Sequence, residues 1–183
     1  ANSLNNNAGT LQSKGDLTLA TTGSLSSQQG RIASGEGNVD ITAASLDNSV
    51  AGKLYSIGGR IKLATTGLFN NATGVIQARA LDIRSGDLSN AGGHLSATHG
   101  NNLITASAIN NQGGGLYAGQ SLDITANSFD NQSGKVAAAV IDFGLSGALN
   151  NSSGIVESGS TLSITSTSLL NSSGKLRALG MQG

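Results

Sequence analysis

Leu149-Asn150-Asn151-Ser152-Ser153-Gly154-Ile155-Val156-Glu157-Ser158, followed by Leu162-Ser163-Ile164, decides the fold, because almost every other part of the chain is a reworded copy of it. Measured from the first large apolar residue, the copies start at Leu4, Leu25, Leu46, Leu68, Leu88, Ile109, Phe129, Leu149 and Leu169. These starts lie 20 to 22 residues apart, giving complete repeats over 4–168 and a partial one from 169. Self-similarity at that period implies a solenoid whose units cannot bury their apolar faces alone. Within each unit the apolar residues recur every second position, which is the period of a strand and not of a helix.

Each unit carries two strand-like triplets. The outer members of a triplet share one face, so the first triplets stack Leu11, Ile32, Leu54, Ile76, Leu95, Leu116, Val136, Val156 and Leu176 inward, each two residues before a small residue from Ser13 to Ala178. A fixed large-small pairing suits a narrow interior, which a second large residue would overfill. The second triplets supply Leu17/Leu19, Val39/Ile41, Ile61/Leu63, Leu81/Ile83, Leu122/Ile124 and Leu162/Ile164, with Asp40, Lys62, Asp82 and Asp123 facing outward between them. Lys62 between Asp40 and Asp82 on neighbouring coils reads as a cross-strand charge ladder.

Two columns punctuate the corners. One is asparagine: Asn6, Asn48, Asn70, Asn90, Asn111, Asn131, Asn151 and Asn171, with Ser27 the exception. Single asparagines form turns; stacked ones can also bond amide to amide as a ladder. The other is glycine, at Gly9, Gly30, Gly52, Gly74, Gly93, Gly114, Gly134, Gly154 and Gly174. It marks a corner needing positive φ or close backbone approach, and no phosphate-loop context accompanies it. The pattern frays twice. His94, His99 and Gly100-Asn101-Asn102 lengthen the turn before Leu103, with Thr105 in place of the next apolar residue; Ala137 to Leu145 holds more apolar residues than one wall needs, so that Phe143 or Leu145 projects or fills a wider coil. His94, His99, Tyr117 and Phe143 are therefore the candidate surface contacts.

Composition narrows the function classes. Among 183 residues, aromatic residues are 3%, charged residues 11%, and proline and cysteine are absent. Low charge and few aromatics resemble a disordered segment, yet the aliphatic register holds along the whole chain, which disorder has no reason to maintain. Ten basic and ten acidic side chains cancel and are spread along the sequence, which argues against nucleic acid and anionic membranes as partners. No apolar run is long enough for membrane insertion, and residues 1 to 20 do not read as a signal peptide. The absence of cysteine excludes disulfides and thiol chemistry.

The units wind into an all-β, three-sided parallel β-helix of about 20 to 22 residues per coil. The recurring L-x-N-x-x-G-x-[LIV]-x-[AS], as at Leu88 to Ala97, followed by L-x-I-x-[AST], as at Leu122 to Ala126, resembles the filamentous haemagglutinin repeat of bacterial two-partner secretion exoproteins, including adhesins and contact-dependent growth inhibition proteins. The resemblance implies a right-handed parallel β-helix forming part of a shaft that is secreted and displayed on the outer surface of a Gram-negative bacterium. It implies adjoining repeats of the same exoprotein as neighbours, an outer-membrane transporter acting through a secretion domain not present here, and a host or neighbouring-cell receptor as a further partner. On this reading residues 1–183 are a single β-helical segment excised from a longer chain.

The rival is a carbohydrate-binding or polysaccharide-degrading β-helix. Hydrolysis needs two carboxylates about 5 to 9.5 Å apart, whereas Asp82 and Asp123 stand two coils apart and Lys62 separates Asp40 from Asp82. His94 and His99 lack further zinc ligands. The sequence thus predicts no catalytic residue, no metal and no cofactor.

Overall fold

The computed structural model describes residues 1–180 as twenty short strands, every pair of which is parallel. One coil shows the plan: Thr10–Ser13, Leu17–Ala20 and Ser24–Ser26 lie on three walls, and each pairs with its equivalent one coil later, Arg31–Ser34, Val39–Ala43 and Ser45–Asp47. Repetition produces a parallel β-solenoid of about eight turns. At some corners the chain stays extended and two walls share one strand, as in Lys53–Thr65, Val75–Arg84, Lys135–Leu145 and Ile155–Thr165.

The interior is a set of columns. On the first wall Leu11, Ile32, Leu54, Ile76, Leu95, Leu116, Val136, Val156 and Leu176 are partners in direct register, and those between the end coils are fully buried. Burying such a side chain contributes about 1.5 to 3 kcal/mol. A coil can gain this only from neighbours above and below: Leu162 and Ile164, in the terminal coil, are only partly buried.

Two register details and one surface-contact assignment differ from the sequence reading. The third-wall column runs Leu46, Phe69, Leu88, so the fourth copy starts at Phe69 and Leu68 is 47% exposed. On the second wall Asn102 pairs with both Leu81 and Leu122, and Ile104 with Ile83 and Ile124, so Asn102 and Ile104 face inward while Leu103 faces out between Asp82 and Asp123. Burying Leu103 instead would require a one-residue slip, and a slip turns every side chain of the strand over, Ile104 and Ala106 included. Phe143 is fully buried and meets Phe129 edge-on at 5.3 Å between ring centroids, which removes it from the surface contacts. Ile141, Phe143 and Leu145 are the inward set of that strand, and Val140 is the residue that projects.

Candidate functional site

The corner between the third and first walls is the most repetitive piece of chemistry in the molecule. Asn48 donates its side-chain amide to Asn71 Oδ1 at 2.8 Å, Asn71 to Asn90, Asn90 to Asn111, Asn111 to Asn131, Asn131 to Asn151 and Asn151 to Asn171, each of these later bonds at 2.7 Å. Asn6 donates to Ser27 Oγ at 3.0 Å. Most of the same amides also reach the carbonyl of the glycine that follows, as Asn90 reaches Gly93 at 3.1 Å. The ladder passes through Asn71, and Asn70 lies outside it, because the column follows Phe69 and not Leu68. Asn70 instead accepts the amide hydrogen of Ala72 and donates to Asp47.

That second role is itself repeated. The side-chain oxygens of Asn5, Asp47, Asn70, Asn110, Asp130 and Asn150 each accept the backbone amide two residues on, at 2.9 to 3.1 Å, closing the same Asx turn at coil after coil. The sequence carried the signal as an Asn, Asp or Ser before the inner asparagine in every copy except the last, where Leu170 stands.

The glycine column serves close approach. A Cβ on Gly30, Gly74, Gly93, Gly114, Gly134, Gly154 or Gly174 would fall under 3.0 Å from the carbonyl oxygen of the asparagine one coil back and from the side chain of its own coil's Asn or Ser. A Cβ on Gly52 would meet Asn48 and the Ser27 carbonyl, and one on Gly9, in the first coil, the Asn6 side chain. The left-handed conformation belongs to the residue before: Ala8, Gln29, Ala51, Thr73, Gly92, Gly113, Ser133, Ser153 and Ser173 have φ between 53° and 63°. The polar groups of the corner are thus taken up by bonds within the chain at coil after coil.

The outer walls offer the remaining candidates. On the first wall His94 stacks on Tyr117 at 6.3 Å between centroids and 20° between planes, and a Cβ on Gly115 would strike both rings. The Arg31 guanidinium lies 5.6 Å from the centre of the Tyr55 ring. A shallow groove of about 220 Å³ beside Tyr55 is lined by Ile57, Gln77, Thr98 and His99. His94 sits on the strand His94–Ala97 and not in a turn, and that strand carries His99 away from it; His99 pairs with Thr98 Oγ1 at 2.9 Å. The two histidines are not brought together, and among the described residues no group of three or more His, Asp or Glu side chains is arranged to hold a metal ion.

On the second wall the outward column reads Asp40, Lys62, Asp82, Leu103, Asp123 and Asp142 in register. The ion pairs formed there are Asp40 with Arg60 at 3.7 Å and Asp82 with Arg84 at 3.5 Å; Lys62 joins neither. At Asp40 and Asp82 charge is balanced by an adjacent arginine and not by the lysine between them, whereas among the described residues Asp123 and Asp142 form no ion pair. Asp123 and Asp142 are adjacent in the ladder, one coil apart, with Ser121 donating to Asp123 at 2.7 Å. They stand on the outer face of the second wall, whose groove of about 140 Å³ lies elsewhere, beside Asp40, Thr42, Lys62 and Ala64.

A family model described as the haemagglutinin repeat matches residues 1–58, 36–99, 97–142 and 135–182. A deoxyribonuclease CdiA of Dickeya dadantii (strain 3937) is 36% identical over 129 residues, which cover 70% of this chain and 4% of that protein. The chain therefore spans a small fraction of the length of this relative. No solved structure matches the chain.

Proposed function

The chain belongs to the haemagglutinin-repeat family, a β-solenoid repeat homologous to that of filamentous haemagglutinin-type two-partner secretion exoproteins, and on that premise we propose that it is a shaft segment, secreted and displayed at the cell surface, that holds a distal adhesion or toxin module away from the cell. One observation carries this reading: parallel pairing continues from Leu4 to Ala178 along three walls, so each coil is hydrogen-bonded along the axis to the next. Such a stack transmits position, because no coil can move sideways without breaking its bonds to both neighbours. The walls support the same reading, since their grooves are shallow and lack the enclosure of a ligand site. Adjoining repeats of the parent would pair with the two end coils, and export would run through an outer-membrane transporter that recognises a separate secretion domain. The nuclease activity in the name of the Dickeya relative would belong to another part of such a parent. A host or neighbouring-cell receptor for these walls is a second, weaker role, favoured by the stacked His94 and Tyr117.

The test removes two coils, 109–148, from the full exoprotein, and in a second strain replaces them with two copies of a regular coil. Ile109, Phe129 and Leu149 are column partners, so the excision preserves register and shortens the stack by about 9.6 Å. Regular replacement is expected to restore export, reach and target-cell attachment together. Recovery of export and reach without attachment would show that 109–148 carries recognition of its own, and the spacer reading would fail.

A further inference from the structure

A formal net charge of zero conceals a sorting of charge around the rod. The leading outward column of the first wall reads Thr10, Arg31, Lys53, Val75, His94, Gly115, Lys135, Ile155 and Lys175. It contains no acid, and the one carboxylate on the neighbouring column, Glu157, is paired with Arg177. The third wall is the reverse. Its outward positions hold Asp47, Asp87 and Asp130 and no lysine or arginine. Along the sequence these charges are interleaved, because the chain visits the walls in turn; around the axis they separate.

Neither set is neutralised within the molecule. Arg31, Lys53, Lys135 and Lys175 are exposed, and among the described residues none of them forms an ion pair. The third-wall carboxylates are held by neutral donors: Asp47 by Gln28 at 2.7 Å and the Ser49 amide, Asp130 by Gln112 at 2.6 Å and the Gln132 amide, Asp87 by the Ala108 amide at 3.2 Å. Those bonds fix the carboxylates in place and leave their charge unspent. The second wall is mixed: Asp40 and Asp82 are each paired to an arginine and Lys62 lies between them, while Asp123 and Asp142 are unpaired among the described residues and sit only toward one end.

The spacings match. Lys53 and Lys135 are four coils apart on the first wall, and Asp47 and Asp130 are four coils apart on the third, so both intervals are about 19 Å. Halfway along, His94 faces out on the first wall where Asp87 faces out on the third. We infer that the partner of the basic wall is the acidic wall of a second copy of this chain, the two rods lying side by side with Lys53 near Asp47 and Lys135 near Asp130. The contact joins unlike walls, so it does not close on itself, and each rod keeps one wall free for a further copy. Three-residue strands on the acidic wall over about eight coils bury roughly 400 Å² per partner, below the ~800 Å² of a stable pair. A single segment therefore associates weakly, and longer arrays of the same repeat associate more tightly by adding contacts in series.

Sedimentation velocity of the 183-residue chain tests this without any other component. At low salt the sedimentation coefficient is expected to rise with concentration toward the near-millimolar range. At ~0.5 M salt, where screening acts within a few Å, it should fall to that of the monomer. Two variants separate the walls. K53E/K135E reverses the basic wall at exposed positions. D47N/D130N removes two acids while keeping the Asx turn, which Asn70, Asn110 and Asn150 already close at the same place. Each variant alone should associate on the order of tenfold more weakly than the parent. Their equimolar mixture should form a 1:1 particle that grows no further, because one good wall of each kind remains. The inference is overturned if the parent stays monomeric at low salt, if either variant associates as the parent does, or if the mixture forms no heterodimer. It is equally overturned if the parent stays monomeric yet is retained by immobilised polygalacturonate and K53E/K135E is not, which would assign the basic wall to a polyanion.

Discussion

At the scale of single residues, the corner divides two demands that are usually met by one glycine. At Gly113 and Gly114 both positions are glycine, and they do different things. Gly113 has φ +62° and nothing within 4 Å of a built Cβ, and serine fills the same place at Ser133, Ser153 and Ser173. At Gly114 a Cβ would fall under 3.0 Å from the Asn90 carbonyl, which accepts the Gly93 amide, and from the Asn111 side chain, which is committed to the ladder. Gly113→Ser is therefore expected to change stability by less than about 1 kcal/mol. Gly114→Ala should remove more than about 3 kcal/mol by forcing coils apart. Urea midpoints of the two variants measure this; equal midpoints would mean that the second glycine is not held by contact.

At the scale of an element, the strand Asn102–Asn110 contains the clearest local conflict. Asn102 is fully buried between Leu81 and Leu122, and neither atom of its amide finds a hydrogen-bond partner. An unpaired buried amide costs about 1 to 3 kcal/mol. The strand tolerates it because Ile104, Ala106 and Ile109 are all inward in the same register. Asn102→Leu would continue the aliphatic column on both sides, and is expected to raise stability by about 1 to 3 kcal/mol, read as a higher denaturation midpoint with an unchanged circular dichroism spectrum. A lower midpoint would show that the site has no room for leucine or that the amide has a partner after all. The inner asparagines of the corner are the useful contrast. Those from Asn71 to Asn151 are just as buried, yet each shares a bond with the next, so burial of the same side chain stabilises in one column and destabilises in another.

At the scale of the whole molecule, the walls are flat because every coil repeats the same three strands, and flatness bears on chemistry. The adjacent carboxylates Asp123 and Asp142 come closer than the pair Asp82 and Asp123 weighed from sequence, which are separated by Leu103. A carboxylate pair hydrolyses a glycosidic bond only when the sugar is held between the two groups, and the groove on this wall lies beside Asp40 and Lys62, three coils from Asp123. Incubation of the chain with pectins, glycosaminoglycans and bacterial polysaccharides, with and without calcium, is expected to release neither reducing ends nor unsaturated products. Turnover that disappears in D123N/D142N would overturn the shaft reading and return the wall to catalysis.

The sequence by itself determined the coil. Period-two alternation, a small residue opposite each large one, and the recurring Asn and Gly corners are local patterns, and a local pattern repeated at one interval has one economical way to bury its apolar faces. It also determined the family, through the same motif. What only the tertiary structure decided is which of two neighbours occupies a column: Phe69 over Leu68, Asn71 over Asn70, Asn102 over Leu103. Those choices are made by the coils above and below, which fix register for a whole strand at once and override the preference of any one side chain. The separation of a basic first-wall column from the unpaired acids of the third wall is likewise invisible along the chain. It exists only once the corners have turned residues interleaved in sequence onto different faces of one rod.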